Sequence, residues 1–588
     1  MRTPRGLAAA LLLWGGATAA QSRVDTRGDV QLRAMQDEMA RSKTLRLNDL
    51  EKPYFISYTS SDAEQVLVTA SLGGLTTSMR LRYRQPGVEV RVGDYKFDNT
   101  NSIFSSAPNL GLLPLDDDYQ AMRTEFWLST DALYKASADQ ITRKRTALRE
   151  IADPEETPDL APAKAVQAIQ PVVTLKIDQA HWEQAVRQLS SRFAAHPGVN
   201  VSSVRMRTIS SMYRLVNSEG TVVRIPEELS DIEIRSSGLA PDGSRVRNHQ
   251  FVTVLRPSQF PSEADLGRMV EAEAAETEAL AKAPLAEEYS GPVLFEQEAA
   301  AQMMAQVLTD ALRLPRKPLA PPGENRSALQ TLDNVWASRR GMKVAPDWLT
   351  IYDNPGEEQF RGAVLAGHYD FDDEGVPAER VMLVQKGTLE NFLFSREPVR
   401  SFDASNGHGR LPGGFGNEEA VIGNLFVQAD GGIPELQLKA RLLASVKAAG
   451  LKYGMIIRRL DFPSTANFEE LQNLARQLQK EGYSRTLNPP LLAYRVYADG
   501  REELVRGVRF KEFSAKDLRD LAAASDRPYL LNYVNNGSSF NLADSGSDAT
   551  TSSVICPSLL FDSLELDTAH DELSKPPIVP PPALVAQR

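Results

Sequence analysis

Hydrophobic and polar residues along the chain follow two periods, and the period changes several times. Between residues 30 and 39, apolar side chains recur at helical spacing (Leu32, Met35, Met39) with charges between them, which predicts an amphipathic helix. Residues 54–58 and 66–68 read as strands. Over residues 79–92 the alternation is strict. Met79, Leu81 and Tyr83 alternate with Arg80, Arg82 and Arg84, and Val88, Val90 and Val92 alternate with Glu89 and Arg91. This predicts a half-buried antiparallel hairpin that turns at Pro86-Gly87 and keeps its arginines on the solvated side. Asp116-Asp117-Asp118 opens a predicted helix that runs to about Glu150, with Phe126, Trp127, Leu133, Tyr134 and Ile141 as its core side. Carboxylates suit the unpaired N–H groups of a helix start. Residues 153–162 are acidic and proline-rich, the pattern of a linker or exposed loop.

A strand is predicted over 171–177 and a helix over 180–193. Two strands should meet at the turn Asn217-Ser218-Glu219-Gly220, and further strands at 232–235 and 251–255 continue the sheet. Ser262 caps a predicted Ala/Glu-rich helix over 262–283, and a domain boundary is expected near Pro284. The second half is richer in strands and turns. Strands are predicted at 291–295, 349–352, 381–384, 393–394, 492–497, 503–508 and 558–566. Helices are predicted at 298–312, 435–449 and 468–481, with a Gly-rich loop at 405–416 and a Pro-rich tail at 575–582.

Composition adds limits. The chain has 588 residues, 42% hydrophobic and 24% charged, as in an ordinary globular protein, and is long enough for two domains. A formal charge of −11 disfavours a duplex-DNA surface. The N-terminus has the parts of a secretory signal: Arg2 and Arg5, an apolar stretch over 7–14, and small residues ending in Ala17-Thr18-Ala19. Cleavage near Ala20 or Gln21 would take the charge to −13 and place the protein in the periplasm or outside the cell. After the N-terminus no apolar run reaches membrane-spanning length. The one cysteine, Cys556, excludes an internal disulfide.

Local motifs for chemistry are sparse. Of the six histidines (His181, His196, His249, His368, His408, His570), no two have the spacing that lets one helix present two imidazoles to zinc. Asp370-Phe371-Asp372-Asp373-Glu374-Gly375 mimics the start of a calcium loop. Val381 stands where the bidentate Glu is needed, so an Asp-rich turn is expected instead. The loop around His408 lacks a Gly-Lys-Ser/Thr ending and has Pro412 at a required glycine, so it is no phosphate cradle. No Gly-x-Ser-x-Gly elbow occurs, while a triad assembled in space stays open. Cys556 sits among Val554, Ile555, Leu559 and Leu560, which predicts a buried structural thiol.

A set of ordered segments resembles the TldD/PmbA family, also called modulator of DNA gyrase, of metallopeptidase-related proteins. They are Asn217-Ser218-Glu219-Gly220; Gly291-Pro292-Val293-Leu294-Phe295 with its following Ala-rich helix; Phe371-Asp372-Asp373-Glu374-Gly375-Val376-Pro377; Lys386-Gly387-Thr388-Leu389-Glu390-Asn391-Phe392-Leu393; and Gly423-Asn424-Leu425. The resemblance covers roughly residues 30–567. It implies an α+β protein of two domains, each with mainly antiparallel sheets and flanking helices, enclosing a peptide-sized groove and usually dimeric. The expected division is a signal peptide (1–20), an N-terminal domain (21–287, elaborated over about 50–150), a C-terminal domain (288–570) and a tail (571–588).

Active members of the family carry zinc on a His-Glu-x-x-x-His helix with a later cysteine ligand. Laid on this chain, the three positions fall at Ala305, Gln306 and Asp310. The resemblance therefore implies the zinc-less PmbA/TldE-like branch, with no cofactor in this chain and Cys556 as the only weak metal candidate. Such a chain would bind peptide or unfolded polypeptide, as a homodimer or beside a zinc-bearing TldD-like sibling. It would bind no nucleic acid and span no membrane. The expected substrate groove uses His368, Asp370, Asp372, His408 and Asn424. Two alternatives stand: an active metallopeptidase with a non-standard site built from His368, nearby carboxylates and Cys556, and a self-assembling, non-enzymatic binding or scaffold protein.

Overall fold

A computed structural model describes residues 28–47, 50–105, 111–151, 156–314, 316–321, 334–412, 418–465, 470, 472–473, 476, 487–535 and 550–568. The predicted signal peptide, the Pro-rich tail, residues 413–416 of the Gly-rich loop and most of the helix predicted at 468–481 lie outside the described residues.

Helices begin where the chain supplies a side-chain acceptor. Asp29, Asp118 and Asp178 cap α1 (Val30–Ser42), α2 (Tyr119–Leu148) and α3 (Gln179–Ser191), and Ser262 caps α4 (Glu263–Lys282). Each accepts a hydrogen bond from the backbone N–H three residues on, which satisfies a donor the helix cannot. Six strands complete this half: β1 (Pro53–Ser71), β2 (Gly74–Val92), β3 (Gln167–Ile169), β4 (Val201–Asn217), β5 (Val222–Leu239) and β6 (Arg245–Val254). They form one sheet of order β2-β1-β4-β5-β3, with β6 on the rest of β5. Every pairing is antiparallel except β3 with β5.

Period-two alternation gives this sheet two unlike faces. Even-numbered apolar residues meet the helices. Val66, Val68, Val204, Met206, Ile232 and Ile234 pack on Trp182, Leu189, Leu266 and Val270 of α3 and α4. Ile56, Tyr58, Val216 and Val222 pack on Leu32, Met35, Phe126 and Tyr134 of α1 and α2. The odd-numbered face carries no helix and meets the second half of the chain: Tyr213 Oη donates to the Asp373 carbonyl at 2.6 Å, and Phe251 stacks on Phe462.

Three local expectations change. The hairpin turns at Leu72-Gly73, both at positive φ, and β2 runs straight through Pro86-Gly87. Proline has no N–H to donate, but β2 is an edge strand, so the missing donor costs no ladder bond. The sides are reversed over 79–84 only. Met79 and Leu81 lie on the helix-free face at 40% and 44% exposure, whereas Arg84 is buried against Asp62 and Asp117; Val88, Val90 and Val92 face the α1/α2 core as expected. Residues 171–177 form no strand; Leu175 and Ile177 pack against the α3/α4 core from irregular backbone. In the predicted linker Asp159 is buried, bonded to Lys144 Nζ at 2.6 Å and paired with Arg316 at 3.1 Å.

The second half contributes β7 (Tyr289–Phe295), α5 (Gln297–Ala311), β8 (Leu349–Asp353), β9 (Gln359–Phe360), β10 (Ala363–Val364), β11 (Val381–Gln385), β12 (Thr388–Leu389), β13 (Gly409–Pro412), β14 (Glu418–Ala420), β15 (Asn424–Ala429), α6 (Glu435–Ala448), β16 (Tyr453–Leu460), β17 (Pro490–Tyr497), β18 (Glu502–Val505), β19 (Val508–Phe510), β20 (Leu521–Asn535) and β21 (Thr550–Thr568). Eleven of these strands share a sheet of order β12-β11-β8-β15-β21-β7-β16-β17-β18, with β19 and β20 also on β21. Only β15–β21 and β7–β16 are parallel. The strand predicted at 393–394 is a single bridge from Leu393 to Arg313. The central strands are apolar on both faces because both are covered. Val293, Phe295, Cys556, Leu559 and Phe561 meet α5, while Leu294, Ile456 and Leu560 meet α6. The architecture is α+β and mainly antiparallel, one sheet drawn from residues 53–254 and the other from 289–568.

Candidate functional site

Where the helix-free face of the first sheet approaches the second half, a cleft of about 660 Å³ opens. Register builds its floor. Ser203 on β4 pairs with Arg235 on β5, which pairs with His249 on β6; Val201, Ser237 and Arg247 form the next row. The side chains lining the cleft include Arg205, Arg235, Arg245 and Arg247 against Glu233 and Glu470, with Ser202, Ser203, Ser237 and Thr69 between them. Val201, 60% exposed, is the apolar part of the lining. Glu470 reaches across from the second half. Its oxygens accept from Arg235 at 2.6 and 2.7 Å, and one accepts from Arg247 at 2.9 Å. Arg247 also pairs with Asp461. His249 is buried and its Nε2 has no hydrogen-bond partner. Burial, with Arg459, Arg235 and Arg247 nearby, drives its pKa far down and keeps the imidazole neutral.

Helix α5 borders this region. Alanines at 299, 300, 301 and 305 let it pack closely under the sheet. Gln302 Oε1 accepts from Leu460 N at 2.7 Å and its Nε2 donates to Glu298 at 2.9 Å. Gln306 Oε1 accepts from Asn488 N at 3.3 Å. Asn488 Nδ2 in turn donates to the Asp461 carbonyl at 2.9 Å, and Asp461 pairs with Arg247 of the cleft. A short polar chain thus runs from Gln306 to the arginine row. Ala305 is buried and offers no donor atom, and Asp310 is bound to Arg313 at 2.6 Å, itself paired with Glu419. Cys556 is fully buried on the α5 side of the sheet, and burial pushes its thiol far above the usual range, so it stays protonated.

The five residues expected to line the groove come together elsewhere. His408 is fully buried, with Nε2 3.1 Å from Asp353 Oδ1 and Nδ1 2.9 Å from the Asn406 carbonyl. Asp372 is fully buried and accepts from the N–H groups of Glu374, Val376 and Gly409. Asn424 Nδ2 donates to the carbonyls of Asn354 and Glu357. His368 Nδ1 lies 2.9 Å from the Pro355 carbonyl, and exposed Asp370 accepts from Gln170. These contacts tie together the loops around 354–376, 405–409 and 420–424. None of the five lines the arginine cleft.

The Asp-rich turn instead joins the two halves. Gly375 sits at φ +77°, and a Cβ there would come within 2.8 Å of Leu215 and Thr221 on the first sheet. Beside it, burial raises Asp373 and Glu374 to about 7, against the opposing charges of Arg410 and Arg396. Among the described residues, no group of three or more His, Cys, Asp or Glu is placed to hold a metal ion, and no helix is long and apolar enough to cross a membrane.

Fold and cleft together define a class: an α+β chain whose first sheet floors a polar groove that Glu470 of the second half borders. Residues 288–457 match the PmbA/TldA metallopeptidase C-terminal domain, and through that segment the chain is similar to the TldD/PmbA family. It is 38% identical over 79 residues to a metalloprotease of Archaeoglobus fulgidus and 34% identical over 82 residues to one of Methanocaldococcus jannaschii. Those stretches are 13% and 14% of this chain and only 17% of each relative. The fold extends further. A putative modulator of DNA gyrase from Thermotoga maritima aligns with a TM-score of 0.57 over 91% of this chain and 99% of its own. TldE of Thermococcus kodakarensis gives 0.55 over 91% and 100%, and a putative gyrase modulator of Bacteroides thetaiotaomicron gives 0.53 over 93% and 100%. At 12% identity each, these share the fold.

Proposed function

We propose that this chain is an exported, zinc-less member of the TldD/PmbA family that binds peptide in the arginine-lined cleft and works beside a zinc-bearing TldD-like sibling. The observation that carries the reading is the chemistry of α5. Zinc in a catalytic site takes about three protein ligands, and its bound water needs a general base. Ala305 supplies no ligand, the Gln306 amide takes no proton, Asp310 is neutralised by Arg313, and the Cys556 thiol is buried in the core. This donor set does not fit zinc. The cleft supports the peptide part of the reading: a sheet face with serines, arginines and Val201 offers an extended chain both hydrogen bonds and apolar contact. Export rests on the charged, apolar and small-residue pattern of residues 1–20.

The test is metal content by mass spectrometry after zinc exposure and desalting, together with peptide hydrolysis and co-purification with the sibling. The expected result is no retained zinc, no hydrolysis by this chain alone, and a stable complex with the sibling. Retention of about one zinc per chain, as a catalytic site requires, would overturn the zinc-less reading. A mature N-terminus beginning at Met1 in the cytoplasmic fraction would overturn export.

A further inference from the structure

We infer that Arg235 and Arg247 form a carboxylate-binding subsite of the cleft, which selects acidic peptides, and that Glu470 is the internal carboxylate they must give up to bind one. This rests on the peptide-binding reading above and names the ligand class. Arg247 pairs with Ser237, two residues along β5 from Arg235, so the two arginines are diagonal neighbours on one sheet face. Both guanidinium groups converge on the same carboxylate, Arg235 through both of its oxygens. Arg235 Nη2 donates to both oxygens and Arg247 Nη1 to one, and such charge-assisted bonds favour a carboxylate over a neutral amide. Glu470 shows that the geometry accommodates one and marks where it sits. Around it the lining holds four arginines against two glutamates, although the whole chain is acidic at −11. Arg245 stands exposed on the same face, and the unpartnered Nε2 of buried His249 supplies one more polar atom. A basic peptide meets repulsion here, and a neutral one leaves Glu470 undisturbed.

Fluorescence anisotropy with labelled octapeptides tests this. The pair is an alanine-based peptide with three central glutamates and its glutamine isostere, each with a free and an amidated C-terminus. The wild-type chain should bind the glutamate peptide about tenfold more tightly than the glutamine one, as one charge-assisted contact provides. Glu470→Gln should raise affinity for the glutamate peptide several-fold without changing the glutamine one. The double change Arg235→Gln and Arg247→Gln should remove the preference for the glutamate peptide. The free and amidated arms identify the source of the carboxylate: a preference that follows the C-terminus assigns it to the chain end, and one that follows the central residues assigns it to side chains. Peptides that bind equally in all variants would overturn the subsite and leave the peptide-binding reading intact. Binding of none of the four peptides to any variant would overturn both. Glu470→Gln keeps shape while removing the charge and one acceptor oxygen, so it tests the subsite even where the arginine variant folds poorly.

Discussion

Raising the pH from 5 to 8 should loosen the junction between the two halves, and the Asp-rich turn is the cause. Asp373 and Glu374 sit where the turn meets the first sheet. Tyr213 and Glu227 face them from β4 and β5, Glu89 and Arg91 from β2, and Asp372, Arg396, Arg410 and Glu418 from the second half. Burial is the largest influence on both and raises them from 3.8 and 4.5 to about 7, while Arg410 and Arg396 pull the other way. The folded state therefore holds protons that the unfolded chain releases between about pH 4 and 7. Stability is greatest below that window, falls as pH rises through it, and levels off above 7. A tenfold difference in proton affinity between the folded and unfolded states is worth about 1.4 kcal/mol per group. The ionisation of Glu374 is itself one cause of the rise at Asp373, so the two are not independent, and together they account for about 4 kcal/mol. For a chain of this length, with an unfolding entropy near 1.2 kcal/mol/K, that is about 3 °C in melting temperature. Other buried carboxyls, such as Glu273 and Glu397, both raised to about 8, add slopes of the same sign. The comparison is therefore between wild type and Asp373→Asn with Glu374→Gln, melted at half-unit steps from pH 5 to 8. The double variant should lose about 3 °C less than wild type across the window. Parallel curves would refute the assignment of the proton uptake to this turn.

Three further outcomes are expected. Gly387→Ala should cost roughly 1–3 kcal/mol of stability, measured by denaturant unfolding, because φ there is +74° and the added Cβ would lie 2.2 Å from the Ala345 carbonyl. Asp159→Ala should cost about 3–5 kcal/mol, because it strands buried Lys144 and removes a partner of Arg316; a loss below about 1 kcal/mol in the same assay would mean the network re-pairs. Phe561→Ala should cost about 3–5 kcal/mol, because the fully buried ring packs edge-on against Phe295 and Phe513 in the core of the second half; a melting temperature within 1 °C of wild type would show that the core collapses onto the gap.

Elements fixed by neighbours in sequence were legible, and arrangements fixed by neighbours in space were not. Asp118 and Ser262 announce their helices because a cap acts three residues away, and the Asn217–Gly220 turn is equally local. The hairpin at Pro86 failed for a spatial reason: only the edge position of β2 makes a mid-strand proline free of cost, and period-two alternation identifies two faces without saying which one the helices cover. Asp159 reads as part of an acidic linker until Lys144 and Arg316 arrive from 15 and 157 residues away. The same gap hid the cleft. Its arginines lie at alternating positions of β4, β5 and β6, opposite apolar residues such as Val204, Met206, Ile232 and Ile234, and that pattern was present in the sequence. Read alone, it describes a solvated sheet face. What turns it into a lined cleft is Glu470, 235 residues after Arg235, carried there by the chain that follows β16 of the second sheet. Of the residues that stood out as groove candidates, Asp372, His408 and Asn424 bond backbone N–H and carbonyl groups of the loops they tie, while exposed Asp370 accepts from the Gln170 side chain. A polar side chain in a Gly-rich or Asp-rich stretch competes first for its own backbone, and only those on regular strands, whose backbone is already satisfied by the ladder, are left to face a ligand.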